Sequence, residues 1–118
     1  LVSDVEGTLR DGKNPVDALM SVLPAGTLSG APKVKAMDII DGLENVKRGL
    51  YGGTVGYLAF NGDIDTCIAI RTVLFRNGKA YVQAGAGIVY DSIPEKEYEE
   101  TVRKASAVIN AIKMAGAE

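Results

Sequence analysis

Histidine is absent from this sequence, and cysteine occurs once in its 118 residues, as Cys67. Within the chain this excludes a Cys-His nucleophile and a zinc site, and a lone thiol cannot close an internal disulfide. Long apolar runs are missing, and no basic stretch leads into an apolar one. Neither a membrane span nor a signal peptide is therefore indicated, and a cytoplasmic protein is expected. No sign of charge dominates: 13 Lys and Arg against 15 Asp and Glu leave a net charge of -2, too little for a nucleic-acid footprint. Internal repeats, low-complexity tracts and linker-like stretches are lacking as well. The opening "LVSDVEG" reads as strand-like and has no initiator methionine, which predicts a fragment or trimmed chain; the closing "KMAGAE" fits a helix C-terminus.

What remains is an ordinary globular balance, 47% hydrophobic and 24% charged, expected to form one domain or a piece of one over residues 1–118. "NPVDALMSVLP" carries a capping residue and then proline, and predicts a short helix from Asn14 that stops at Pro24. "SGAPKVKAMDIIDGLE" predicts a second, capped by Ser29 or Gly30, with Val34, Met37 and Ile40 on one face and Gly42 near its end. The intervening "PAGTLSG" reads as a loop. Three strands are expected, Thr54 to Phe60, Thr66 to Arg76 and Lys79 to Ala86, joined at Asn61-Gly62 and Asn77-Gly78, dipeptides that tolerate the positive φ of tight hairpins. The last segment places Tyr98, Val102, Ala105, Ile109 and Ile112 at helical spacing, a face expected to pack on the sheet. The fold class is α+β, an antiparallel β-meander packed with helices.

Three features carry candidate chemistry. Gly85 and Gly87 flank Ala86 where the third strand ends, and a backbone without bulky Cβ atoms can approach an anion and offer N–H donors to it; a tight turn or bulge explains the same residues. Glu95, Glu97, Glu99 and Glu100 open the last helix, where the helix dipole alone favours carboxylates. Glu97, Glu100 and Lys104 nevertheless share one flank beside the apolar face, and two carboxylates three residues apart suit a hard cation such as Mg²⁺. Arg71 interrupts "TCIAIRTVLF". Strand alternation sets it with Cys67, Ala69 and Val73, among mainly apolar neighbours, so its guanidinium is expected to be poorly solvated and to need a partner. That partner is either an internal acid, Asp63, Asp65 or a glutamate, or a ligand carboxylate gripped bidentately. A small dicarboxylate bridged by a metal would use all three features.

The blocks "LPAGTLSGAPKVKAMDIIDGLE", "RGLYGGTVGYLAFNGDIDTCIAIRT" and "QAGAGIVYDSIPEKEYEETVRKASAVINAI", in that order, resemble the C-terminal part of the chorismate-binding large subunit of the anthranilate synthases. Aminodeoxychorismate synthases tend toward "PGGSITGAPK" and "YTGAIGY", and isochorismate and salicylate synthases depart further. These enzymes share most of the pocket, so they stay as alternatives, together with a non-catalytic folding or assembly module. The resemblance implies that Arg71 and Tyr51 hold the enolpyruvyl carboxylate of chorismate and that N–H groups of Gly85, Ala86 and Gly87 meet the ring carboxylate. It implies that Glu100 ligates Mg²⁺ with Glu97 beside it, and that Thr27 lies next to the ring. Thr27 could instead stabilise its loop, and Tyr51 could simply pack over the sheet edge. Lys104 is expected to pair with Glu100. The family's catalytic histidine would fall just before Leu1 and a catalytic glutamate well upstream, so the chain alone is expected to be inactive. Expected partners are chorismate, the N-terminal half of the large subunit, a glutamine amidotransferase subunit and, through exposed apolar surface, a second copy.

Overall fold

The computed structural model describes residues 2–116. The elements run α1 (Pro15–Val22), α2 (Gly26–Ser29), α3 (Lys33–Leu43), β1 (Thr54–Leu58), β2 (Ile64–Ile68), β3 (Val73–Arg76), β4 (Lys79–Val82) and α4 (Pro94–Ala115), an α+β arrangement. Residues 2–10 form neither helix nor strand, so the strand-like opening is not realised there, and Leu1 lies outside the described residues. The closing helix ends at Ala115 with Gly116 as its cap; residues 117–118 lie outside the described residues.

The first helix starts as its sequence dictates. Asn14 Oδ1 accepts from the N–H groups of Val16 and Asp17 at 2.8 and 3.1 Å, and Asp17 Oδ2 accepts from the Asn14 N–H at 3.0 Å, a reciprocal cap followed by Pro15. The second predicted helix begins later than expected. Neither Ser29 nor Gly30 caps it; Pro32 occupies the N-cap position without a side-chain hydrogen bond. Proline biases the residue before it toward extended backbone, so the helix cannot reach back through Ala31. Ser29 instead closes the single turn α2, inside the predicted loop, and its hydroxyl donates to the Ala25 carbonyl at 3.0 Å. Helix α3 continues through Gly42 to Leu43.

Strands β1 and β2 pair antiparallel from Thr54↔Ile68 to Leu58↔Ile64, and β3 and β4 from Val73↔Val82 to Arg76↔Lys79. Asn77 and Gly78 both adopt positive φ, 52° and 70°, the two-residue hairpin turn their types favour. At the other hairpin only Gly62 does, with φ 96°; its N–H donates to the Ala59 carbonyl at 3.0 Å, so the loop is longer.

The expected middle strand from Thr66 to Arg76 is two strands, and the meander becomes two separate two-stranded sheets. Ile70 N–H donates to the Ile68 carbonyl at 2.8 Å, a three-residue turn, and Arg71 then adopts a left-handed φ of 54°. Thr72 Oγ1 donates to the Ile70 carbonyl at 2.9 Å and fixes the bend. A side chain in that conformation leaves the strand alternation, which is why Arg71 is exposed and not poorly solvated as the spacing suggested.

The chain is open. Its accessible surface is 10031 Å², against about 6,100 Å² for a compact monomer of this mass. Its radius of gyration is 17.1 Å, against about 13.5 Å for a compact domain of this length. Ala69 is the one buried hydrophobic residue among those described.

Helix α4 also departs from expectation. Tyr98, Val102 and Ile109 are 71%, 46% and 38% exposed, so most of the predicted apolar face is not covered by the sheet. The half-covered residues are Glu97, Glu100, Thr101, Lys104, Ala105, Ser106, Val108 and Ile112, so Ala105 and Ile112 of the predicted face are partly covered. One polar side-chain tether from the middle of α4, Lys104 to the Gly85 carbonyl at 3.1 Å, holds this flank against the segment that follows β4.

Candidate functional site

Tyr51 closes a turn whose N–H to Arg48 carbonyl bond is 3.1 Å long. Just after it, Gly52 N–H donates to the Ala69 carbonyl and Ala69 N–H to the Gly53 carbonyl, both at 3.0 Å, which locks this loop onto the end of the β1–β2 ladder. Gly52 has φ 82°, a conformation glycine adopts without strain, and a Cβ there would already stand 3.5 Å from Leu28 Cδ1. The Tyr51 ring is half-buried, and its hydroxyl lies over Gly85, where an added Cβ would be 3.0 Å from the oxygen.

Past β4 the chain through Gly85, Ala86 and Gly87 is neither helix nor strand, and neither glycine has positive φ. The expected tight turn is absent. Gly85 serves close approach to Tyr51 instead. Among the described residues the N–H groups of Gly85, Ala86 and Gly87 donate no hydrogen bond, so three consecutive backbone donors remain uncommitted.

Lys104, on α4, ties this segment to the helix. Its Nζ donates to the Gly85 carbonyl at 3.1 Å and pairs with the Glu100 carboxylate one turn before it. The Glu100 carboxyl is held below the usual carboxylate range, first by the Lys104 hydrogen bond, then by the Lys104 charge, with smaller contributions from Arg103 and Arg71. Arg71 itself forms no salt bridge among the described residues. The expected ion pair with Asp63 or Asp65 is not formed.

Glu97 is half-buried on the same flank as Glu100. Among the described residues no group of three or more Cys, Asp or Glu is placed to hold a metal ion. Two carboxylates on one helical flank still fit Mg²⁺, which is commonly bound through one or two carboxylates plus ligand oxygens and water.

Thr27 is exposed on α2, makes no side-chain hydrogen bond among the described residues, and is not brought against the other candidates. The chain therefore brings together Tyr51, Gly85, Lys104 and Glu100, with Ala86, Gly87 and Glu97 adjoining in sequence or on the same flank, while Arg71 makes no hydrogen bond or salt bridge to them among the described residues. These groups lie on an open face. Two grooves of about 450 and 540 Å³ share Arg48 and Tyr51 in their walls, but neither is lined by Arg71, Gly85, Glu97 or Glu100.

Sequence reading missed Arg48. Its Nε donates to Glu44 Oε2 at 2.9 Å, its Nη2 to Glu44 Oε1 at 2.5 Å and its Nη1 to the Leu28 carbonyl at 2.8 Å, while its guanidinium lies 5.7 Å from the Tyr51 ring centroid. The i,i+4 spacing of Glu44 and Arg48 was a usable signal; the reach to Leu28, 20 residues away, was not.

A family profile described as chorismate binding enzyme matches residues 1–110. The chain belongs to the chorismate-binding enzyme family. Within that class it is 66% identical over 116 residues to anthranilate synthase component 1 of Acetivibrio thermocellus, covering 98% of this chain and 24% of that protein. It is 60% identical over 115 residues to the protein of the same name from Pseudomonas aeruginosa and 58% over 115 residues to that of Aquifex aeolicus, covering 98% of this chain and 23% of each. The chain thus spans about a quarter of the length of these relatives.

Proposed function

We propose that this chain supplies the carboxylate-gripping part of a chorismate site in an anthranilate synthase of tryptophan biosynthesis, acting in the cytoplasm. The observation that carries the reading is the junction of Tyr51, Gly85, Lys104 and Glu100, from separate parts of the chain.

Chorismate carries two carboxylates. Arg71 and the Tyr51 hydroxyl bind the one on the enolpyruvyl arm, where a guanidinium and a phenol donate charge-assisted hydrogen bonds. The uncommitted N–H groups of Gly85, Ala86 and Gly87 receive the ring carboxylate. Glu97 and Glu100 would hold Mg²⁺, which would supply charge screening for a bound carboxylate. Lys104 keeps Glu100 and the Gly85 segment at a fixed separation. Ammonia, delivered by a glutamine amidotransferase partner, attacks the ring and hydroxide leaves. Loss of the enolpyruvyl group as pyruvate then gives anthranilate. We assign these residues to binding and orientation, and expect no turnover from the 118 residues alone.

The exposed apolar faces are covered, on this reading, by the remainder of such an enzyme, or by a second copy when the chain is by itself. Its surface exceeds that of a compact monomer by about 3,900 Å², within the range that obligate interfaces bury, roughly 2,000–5,000 Å².

The test is a hybrid enzyme in which this chain replaces the matching quarter of the Acetivibrio thermocellus relative. Anthranilate and pyruvate formed from chorismate and ammonia, dependent on Mg²⁺, are the expected products. Aminodeoxychorismate, isochorismate or salicylate in their place would reassign the activity, and a hybrid that folds but shows no Mg²⁺-dependent heat on titration with chorismate would remove the binding role.

A further inference from the structure

The Arg48 guanidinium touches three separate parts of the chain. It forks onto the Glu44 carboxylate past the end of α3, donates to the Leu28 carbonyl in α2, and lies beside the Tyr51 ring. Leu28 directly follows Thr27. Tyr51 follows Arg48 by three residues, and the backbone turn between them is closed by its own hydrogen bond. One side chain thus fixes both the ring whose hydroxyl meets Gly85 and the helical turn that carries Thr27.

A surface ion pair would not behave this way, and the chain supplies the comparison. Arg103 and Glu99 are 70% and 68% exposed, 3.8 Å apart, and Arg103 makes no further hydrogen bond among the described residues. Arg48 and Glu44 are 27% and 37% exposed, and all three guanidinium nitrogens donate hydrogen bonds. Side-chain entropy and water screening cancel most of the value of the first kind of pair. The second is a planar fork with its donors directed at fixed acceptors, a geometry lysine cannot reproduce.

We propose that Arg48 is a positioning residue for ligand binding: it holds Tyr51 against Gly85 and in register with the Thr27 turn, and so sets the width of the carboxylate-binding face. The inference deepens the chorismate reading and rests on it for the identity of the ligand, but the placement of Tyr51 can be read without any ligand.

The experiment uses the hybrid enzyme and its Arg48→Lys variant, which retains the charge and removes the fork. Tyr51 nitration by tetranitromethane, followed by peptide mass mapping, is expected to speed up about threefold or more in the variant, with Tyr57, Tyr81, Tyr90 and Tyr98 unchanged as internal controls. The KM for chorismate is expected to rise about tenfold with kcat within about threefold, and in a Tyr51→Phe background the same change is expected to add less than about twofold. A purely structural Arg48 would lower stability without this coupling. Glu44→Gln, which releases one side of the fork, should shift nitration in the same direction by less, and serves if Arg48→Lys does not fold. Unchanged Tyr51 nitration, or KM effects of Arg48→Lys and Tyr51→Phe that multiply independently, would overturn the proposal. If the parent hybrid makes no product from chorismate, the functional reading fails by itself and the nitration result still decides the role of Arg48.

Discussion

The Tyr51 hydroxyl and Gly85 are in contact across two loops: a Cβ on Gly85 would stand 3.0 Å from the phenolic oxygen. That spacing is tighter than a side-chain carbon normally tolerates, and the Arg48 guanidinium lies 5.7 Å from the ring centroid. Gly85→Ala is therefore expected to push the hydroxyl aside by a few tenths of an ångström without unfolding the loop. In the hybrid enzyme, KM for chorismate should rise about tenfold while thermal stability changes by less than about 1 kcal/mol. Wild-type KM with an alanine at this position would show that Tyr51 does not meet the substrate.

Arg71 combines an exposed charge with a left-handed backbone, φ 54°, that an arginine adopts at a cost of about 1 kcal/mol. Asparagine tolerates this conformation better. Arg71→Asn should leave stability unchanged or raised by up to about 1 kcal/mol, yet weaken chorismate binding by more than about tenfold. Calorimetric titration and thermal unfolding on the same sample separate the two effects. A loss of stability with affinity intact would mark Arg71 as structural.

Part of the acid sensitivity should trace to Glu44. Its carboxyl is held below the ordinary value of 4.5, first by the hydrogen bond from Arg48, against a smaller opposing effect of burial. A depressed folded-state value means the pair stabilises the fold above the ordinary glutamate range and loses that contribution as pH falls through the depressed value. The side chains are partly exposed, so water screening limits the effect to about 0.5 kcal/mol. Denaturant unfolding of the hybrid and its Glu44→Gln variant should differ by a constant amount above about pH 5 and converge in more acid solution. A difference that grew on acidification would contradict the assignment.

The outward stripe of α4, Tyr98, Val102 and Ile109, should make the isolated chain associate. Sedimentation velocity is expected to show species heavier than the monomer at micromolar concentration, and Val102→Asp with Ile109→Lys should shift the distribution back toward monomer. A chain that stays monomeric and binds no apolar dye would argue that this face needs no cover.

Much of the architecture was legible locally. Asn14 with Pro15, the Asn77-Gly78 turn, and the long 3.6-residue periodicity after Pro94 each specify a short-range geometry that their own side chains satisfy. The site was legible in part, because Glu97, Glu100 and Lys104 share a flank by helical arithmetic alone. The bend at Arg71 was not, since "TCIAIRTVLF" has the composition of a continuous strand and only a three-residue turn breaks it. Nor was the orientation of α4, where periodicity identified an apolar stripe but could not say whether this chain contains anything to lay against it.

Residue order therefore determined which segments become helices and hairpins, because capping, turn and periodicity preferences act over a few neighbouring residues. Tertiary structure alone decided that Arg48 reaches back to the Leu28 carbonyl and that Lys104 joins α4 to the Gly85 carbonyl. Those contacts depend on a guanidinium or ammonium meeting oxygens far away in sequence, and no local preference encodes a distance across the fold.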